Sequence, residues 1–364
     1  MLRWKTVSSR FLVGVNRHQA KICARRSQQD IEKAPAERPP AFDVPASKNE
    51  SPLRKLIALQ HDALLVLGPR RIPPLTCPAA STSTSVSIVT SFGFRMLECG
   101  EYIEAIQALR PDIALAMGDV LFGLDPGVKR QERMGDRTQS WLNAIIAGLR
   151  DPNDGAPNTS IFAAVLPIEP EKQSWYLTAL RDDFRNQIGG LVLYDVESVS
   201  YIPEGLSQLP RLSLADLRTP HQLLDAIEAG LDVCTLPFAN QCADDGFALD
   251  FCFGRSDEAP APREPKPLAL DLWSDAYATD LLPLRRGCQC YSCQNHHRAY
   301  IRHLLNAGEM LSWVLLQIHN YHVLDEFFLA IRESITRGDF EKDKATFSTT
   351  HRRDWPDKTG QGPR

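Results

Sequence analysis

A chain of 364 residues, 43% hydrophobic and 24% charged, has enough apolar content to bury a sizeable core as one large domain or two smaller ones. Its formal net charge of −4 supplies no bulk attraction to nucleic acid, so any such contact must rest on a local basic patch. Nine cysteines, an odd number with three crowded into residues 288–293, suit a metal in a reducing compartment better than a disulfide framework, and no apolar run is long enough to span a membrane.

Residues 1–29 carry Arg3, Lys5, Arg10, Arg17, Lys21, Arg25 and Arg26, with no acidic residue before Asp30. The pattern overlaps with mitochondrial presequences and equally describes a basic, poorly ordered terminus, so mitochondrial association stands as an alternative to a plain cytoplasmic location. Residues 30–55, with Pro35, Pro39, Pro40 and Pro45 among charges, read as an extended connector that completes an N-terminal segment over 1–55.

From Ala63 the pattern changes. An apolar run over 63–67 stops at Gly68-Pro69, and further strand signals fall at 86–90, 113–117, 160–166, 190–193, 211–214 and 233–236, with amphipathic stretches of helical period between several of them. Thr219-Pro220 is an N-cap followed by proline at the first helical position, and Gly230 is the stop of that helix. Strands alternating with helices define an α/β protein with a parallel sheet. No Gly-rich phosphate loop follows the first strand, so a TIM (β/α)₈ barrel over 56–253 is the expected architecture rather than a doubly wound sheet. The proline-rich stretch 254–267 reads as a surface loop, 268–337 as a metal-binding subdomain with closing helices, and 338–364, polar and without period, as a disordered tail.

The strongest chemical signal is Cys288-Gln289-Cys290-Tyr291-Ser292-Cys293 with His319 on a later helix. Three thiolates and an imidazole form the tetrahedral donor set that Zn²⁺ prefers, and four protein ligands leave no place for a catalytic water, so one structural zinc ion per chain is expected. Cys293 is expected to open a helix, and Leu311, Leu315 and Ile318 to give the His319 helix its apolar face. The bland alternative is three free buried thiols beside a core histidine. His296, His297 and His303 read as exposed or base-stacking residues rather than ligands. With Arg285, Arg286, Arg298 and Arg302 they form a local basic cluster, readable as an RNA phosphate contact, a solvated helix face or a subunit interface.

The stretch 268–335 resembles the tRNA-guanine transglycosylase family through Cys-x-Cys-x-x-Cys, Arg298-Ala299-Tyr300-Ile301-Arg302-His303-Leu304, Ala307-Gly308-Glu309-Met310 and Ile318-His319-Asn320. Upstream, Ile188-Gly189-Gly190-Leu191, the segment Leu214-Ala215-Asp216-Leu217-Arg218-Thr219-Pro220 and Gly230-Leu231-Asp232 carry the likeness back to about residue 85. The resemblance implies a TIM barrel with a zinc subdomain and base exchange at the wobble guanine of tRNAs with GUN anticodons. The departures are specific. Catalytic members place a nucleophilic aspartate two residues beyond the equivalent of Val233, where this chain has Thr235, a poor substitute for a carboxylate. Val165-Leu166-Pro167-Ile168 replaces their Val-Gln-Gly-Gly, Leu193-Tyr194-Asp195 replaces the loop after the Gly-Gly pair, and Asp119 is the match to their base-reading aspartate. The pattern implies no catalytic residue in this chain, and a non-catalytic subunit that forms a heterodimer with a catalytic queuine tRNA-ribosyltransferase subunit and helps it grip tRNA. The rival readings are an active enzyme using Asp232 and a zinc-stabilised RNA-binding scaffold.

Overall fold

Strands buried on both faces read as short continuous apolar runs, because crossover helices cover each face of a parallel sheet. The computed structural model describes residues 13–14, 40–47, 50–72, 74–77, 80–90, 93–123, 126–150, 159–254 and 264–360. They fall into two units, one of residues up to 216 with 229–235, the other of 217–228 with 236 onward. The second therefore takes over residues 217–228 and 236–253, which the sequence pattern assigns to the barrel.

In the first unit, Val13–Gly14 (β1), Leu65–Leu67 (β2), Ile113–Leu115 (β5), Ser160–Val165 (β6), Gly190–Leu193 (β7), Arg211–Ser213 (β8) and Val233–Cys234 (β9) form one sheet in that order, every neighbour parallel. Consecutive order without a reversal is the winding of a curled barrel-like sheet, not of a doubly wound one. Among the described residues the sheet has seven strands with β1 and β9 at its edges; an eighth strand and closure are not among them. Side chains two apart along each strand share a face, so Val66, Ile113, Leu115, Phe162, Ala164, Val192 and Leu212 make one apolar cluster, joined near the strand ends by Tyr194, Leu214 and Val233. Gly190 sits beside Phe162 in the register, and a Cβ there would lie 2.5 Å from the Phe162 ring. The glycine is required by that close approach.

Helices Cys99–Leu109 (α2), Val128–Gly148 (α3) and Ser174–Asp182 (α4) belong to the same unit. Their buried residues recur at helical spacing: Tyr102, Ile106 and Leu109; Met134, Thr138, Trp141, Leu142 and Ile145; Tyr176, Leu177 and Leu180. Tyr176 donates its hydroxyl to the Ala164 carbonyl at 2.8 Å, which satisfies a phenol that burial would otherwise penalise.

Two expectations for this unit are corrected. The 86–90 signal belongs to Ser85–Thr90 (β3), which pairs antiparallel with Gly93–Glu98 (β4) in a separate hairpin rather than joining the parallel sheet. The connector read as extended over 30–55 contains a helix, Pro52–Leu56 (α1), with Ser51 as its N-cap and proline at its start. The basic pattern of residues 1–29 lies outside the described residues apart from β1.

The second unit contains Pro220–Glu228 (α5), begun as expected by a Thr219 hydroxyl that accepts from Gln222 N at 3.3 Å, and Pro237–Asp244 (α6). A two-stranded antiparallel ribbon, Phe247–Leu249 (β10) with Ala269–Asp271 (β11), brackets the proline-rich stretch, of which 255–263 lie outside the described residues. Tyr291–Asn295 (α7), Arg298–Ala307 (α8), Met310–Arg337 (α9) and Phe340–Thr350 (α10) follow. The last of these overturns the disordered tail. Phe347 is buried and packs edge-on to Phe327 and Phe251, with ring centroids 5.5 and 6.2 Å away. Beyond α10, Trp355 donates to the Arg218 carbonyl at 2.8 Å. A few aromatic anchors order a segment whose composition is otherwise polar.

Candidate metal centre and strand-end cavity

Gly287, at φ +77°, makes the turn that brings Cys288 out of the preceding loop. Cys290 then caps α7, its sulfur accepting from Cys293 N at 3.3 Å, so Cys293 lies within the first turn instead of opening the helix. Ser292 donates to the Leu315 carbonyl at 2.7 Å and pins α7 to α9. The buried face of α9 carries Trp313, Leu315, Leu316, His319, Asn320, Val323, Leu324 and Phe327; Leu311 and Ile318, expected on the apolar inner face, are exposed.

These elements bring Cys288, Cys290, Cys293 and His319 together, all buried. His319 Nδ1 lies 3.7, 3.5 and 3.4 Å from their three sulfurs. In a tetrahedron with metal–sulfur and metal–nitrogen bonds of about 2.3 and 2.0–2.1 Å, the sulfur–nitrogen edge is about 3.6 Å, so the donor spacing fits a single bound ion. On the other side of the ring, Nε2 lies 2.9 Å from the Leu249 carbonyl, an acceptor only, which places a ring proton there and makes Nδ1 the nitrogen that faces the thiols. Asn320 fixes the strand that provides this carbonyl: its Oδ1 accepts from Leu249 N at 2.9 Å and its Nδ2 donates to Phe247 O at 3.0 Å.

The electrostatics agree with a cation-seeking group. A hydrogen bond from Cys293 pulls Cys290 well below the usual thiol range, and the same contact with burial pushes Cys293 up. Burial opposes a charge on His319, but hydrogen bonds to Cys288 and Cys290 outweigh it and raise the imidazole to about 9. A proton balances the thiolate where a metal ion would displace it. The four residues are thus a buried Cys₃His group that could hold a metal ion.

The basic cluster beside this group is largely neutralised within the chain. Arg285 pairs with Glu326 at 2.9 Å, Arg298 with Asp280 at 2.9 Å and Arg302 with Asp275. His296 stacks on Tyr300, His297 caps α8 by accepting from Tyr300 N at 3.1 Å, and His303 is exposed.

In the first unit, Thr235 lies past the end of β9 on the Val233 side and lines a cavity of about 70 Å³ at the carboxyl ends of the strands. Its hydroxyl donates to the Ser213 carbonyl at 3.1 Å. The other walls are Val66, Gly68, Arg70, Arg71, Leu115, Phe122, Tyr194, Leu212 and Leu214, with Pro69, Ile72 and Pro74. No carboxylate is among them. Asp119 is buried with its two oxygens held by Arg130 at 2.6 Å and Arg137 at 3.1 Å. Asp232 sits at the opposite end of β9, where its carboxylate accepts from Arg211 N at 2.9 Å. In the replaced loop after β6, the buried Gln173 amide accepts from Leu166 N at 3.2 Å and donates to the carbonyls of Leu166 and Ile168 at 2.7 and 2.8 Å. Gln173, Arg70 and Arg71 have no local signature in the sequence, being a lone glutamine and a basic pair after a strand stop.

Fold and site together define an α/β protein with a curled parallel sheet and a second unit that encloses a Cys₃His group. A model of the family described as queuine tRNA-ribosyltransferase matches residues 40–353. The chain is 34% identical over 325 residues to the queuine tRNA-ribosyltransferase accessory subunit 2 of Schizosaccharomyces pombe, an alignment that covers 88% of this chain and 71% of that one. Proteins of the same name from Drosophila pseudoobscura pseudoobscura and Danio rerio are 30% identical over 283 residues and 28% over 311. Those alignments cover 73% and 75% of this chain, and 66% and 73% of the respective relatives. The chain belongs to the queuine tRNA-ribosyltransferase family.

Proposed function

We propose that this chain is the non-catalytic subunit of a heterodimeric queuine tRNA-ribosyltransferase, which exchanges guanine for queuine at the wobble position of tRNAs with GUN anticodons. The observation that carries the reading is the strand-end cavity. Base exchange by this family needs a carboxylate that attacks the ribose, and the cavity has Thr235 at the strand end and, among the described residues, no carboxylate on its walls. An enzyme using Asp232 is disfavoured, because that side chain is engaged by Arg211 at the amino end of the strand, away from the end where such sheets place their chemistry.

In this reading the sheet completes a (β/α)₈ barrel, and Cys288, Cys290, Cys293 and His319 hold one Zn²⁺. With all four positions taken by protein, the ion acts structurally, tying the 288–293 loop to α9 and β10. The partner surface includes the stripe Met310, Leu311, Val314 and Ile318 on α9, which leaves large apolar side chains 77, 45, 46 and 39% exposed. Contact with tRNA is made by the assembled pair, since three arginines of the basic cluster are already ion-paired within this chain.

The test is co-purification with a catalytic subunit, followed by mass determination in solution. A one-to-one complex that survives at physiological salt is expected; two subunits that migrate separately at micromolar concentration would refute the assignment.

A further inference from the structure

The strand-end cavity is lined by two arginines, Arg70 and Arg71, that have no acidic partner among the described residues. Arg70 donates from Nη1 to the Gly118 carbonyl at 2.7 Å, and its Cζ lies 5.5 Å from the Phe122 ring centroid. Arg71 follows it on the cavity wall, and its Nε is buried with no hydrogen-bond partner. Among the described residues neither arginine forms an ion pair, and the nearby Asp119 has both oxygens committed to Arg130 and Arg137. Burial lowers the pKa of Arg70, against the opposing influence of Tyr194 and Asp119. A cation enclosed in this way is costly unless an anion shares the site.

Size limits the anion. At roughly 10–15 Å³ for each water-sized occupant, a space of about 70 Å³ holds roughly five. That is close to the number of non-hydrogen atoms in one phosphate and well short of a purine. The carboxyl ends of parallel strands are also where barrel-like α/β proteins commonly bind phosphate, and a guanidinium fork matches the spacing of phosphate oxygens.

We propose that this cavity binds a single phosphate-sized oxyanion between Arg70 and Arg71, beside the Tyr194 hydroxyl. The site takes over the place at the strand ends that a nucleobase and a carboxylate would need, so its charge preference is the reverse of a nucleophile's. This inference does not depend on the accessory assignment. The anion is either free phosphate or the terminal phosphate of a mononucleotide, which present the same chemistry to the arginines.

Calorimetric titration of the full chain, metal-loaded and in phosphate-free and sulfate-free buffer at constant ionic strength, tests it with inorganic phosphate as the probe. A saturable one-to-one isotherm is expected. Arg71→Met should weaken it roughly tenfold or more, the loss of a charge-assisted hydrogen bond, while Tm without phosphate stays the same because Arg71 Nε braces nothing in the chain. Arg71→Lys keeps the charge without the fork and should bind with intermediate affinity. Competition by guanosine 5′-monophosphate, with guanosine inert, would identify the nucleotide as the source of the phosphate; failure of the nucleotide to compete would identify free phosphate. The absence of saturable phosphate heat, or binding by Arg71→Met as tight as by the unaltered chain, would overturn the proposal.

Discussion

His319 and Leu249 are joined by a 2.9 Å hydrogen bond from imidazole Nε2 to the main-chain carbonyl, and this bond decides which ring nitrogen faces Cys288, Cys290 and Cys293. Asn320, the next residue on α9, holds the same strand by both ends of its amide. The Cys₃His group therefore depends on β10 even though no side chain of β10 is a ligand.

Asn320→Ala removes the partners of Leu249 N and Phe247 O inside a buried region, at a cost of about 1–3 kcal/mol for each group left unsatisfied. It also frees the carbonyl that orients His319, so metal affinity should fall about 10–100-fold, as for other outer-shell partners. Competition with a chromogenic chelator would measure the affinity. The unaltered chain should contain one zinc ion by elemental analysis and lose thermal stability when the metal is stripped; His319→Ala should contain none.

Asp119 is fully enclosed between Arg130 and Arg137. Asp119→Asn removes the charge and leaves two guanidinium groups facing each other, so the chain should lose about 3–5 kcal/mol of unfolding free energy. Urea denaturation followed by tryptophan fluorescence measures this. A loss below about 1 kcal/mol would mean that solvent reaches the arginines and compensates them.

A pH dependence follows from the C-terminal helix. His351 stacks on Phe347 with ring centroids 4.4 Å apart, and burial, helped by the charges of His221 and Lys266, lowers its pKa to about 4. In the unfolded chain a histidine takes up its proton near pH 6.5. Between those two values the unfolded state binds more protons than the folded state, so stability rises with pH across the window from about 4 to about 6.5. His351→Phe should flatten the slope of unfolding free energy against pH in that window. His221, also lowered by burial, keeps part of it.

The parts of this fold that were legible in sequence are those whose signal is local. The buried strands from 113 to 214 stand out because each is a short apolar run with its own helix to follow, and the three cysteines because their spacing alone brings the thiols together. The hairpin of β3 and β4 was not legible as such: Ser85–Thr90 has the same apolar character as a sheet strand, and its partner Gly93–Glu98 is largely exposed. Helix α10 is not legible because Phe340 and Phe347 supply its anchorage among polar neighbours. The Leu249 carbonyl could not be read at all, since a main-chain group seventy residues from its histidine leaves no trace in residue type.

The exposed stripe on α9 gives a surface prediction. Val314→Asp places a charge among Met310, Leu311 and Ile318 without touching the buried face, so the isolated chain should change in stability by about 0.5 kcal/mol or less. Affinity for the catalytic subunit, measured by biolayer interferometry, should drop at least about tenfold if this side chain is buried in the contact. An unchanged affinity would move the partner surface elsewhere.

The central claim is that this chain does not perform base exchange by itself, and the incorporation of labelled guanine into a GUN-anticodon tRNA tests it most directly. The assay is run with this chain alone, the catalytic subunit alone and the co-purified pair, with zinc content determined for each sample. Exchange by the pair, with none by this chain alone, is the predicted result. Turnover by this chain alone would contradict the account and require a nucleophile other than Thr235.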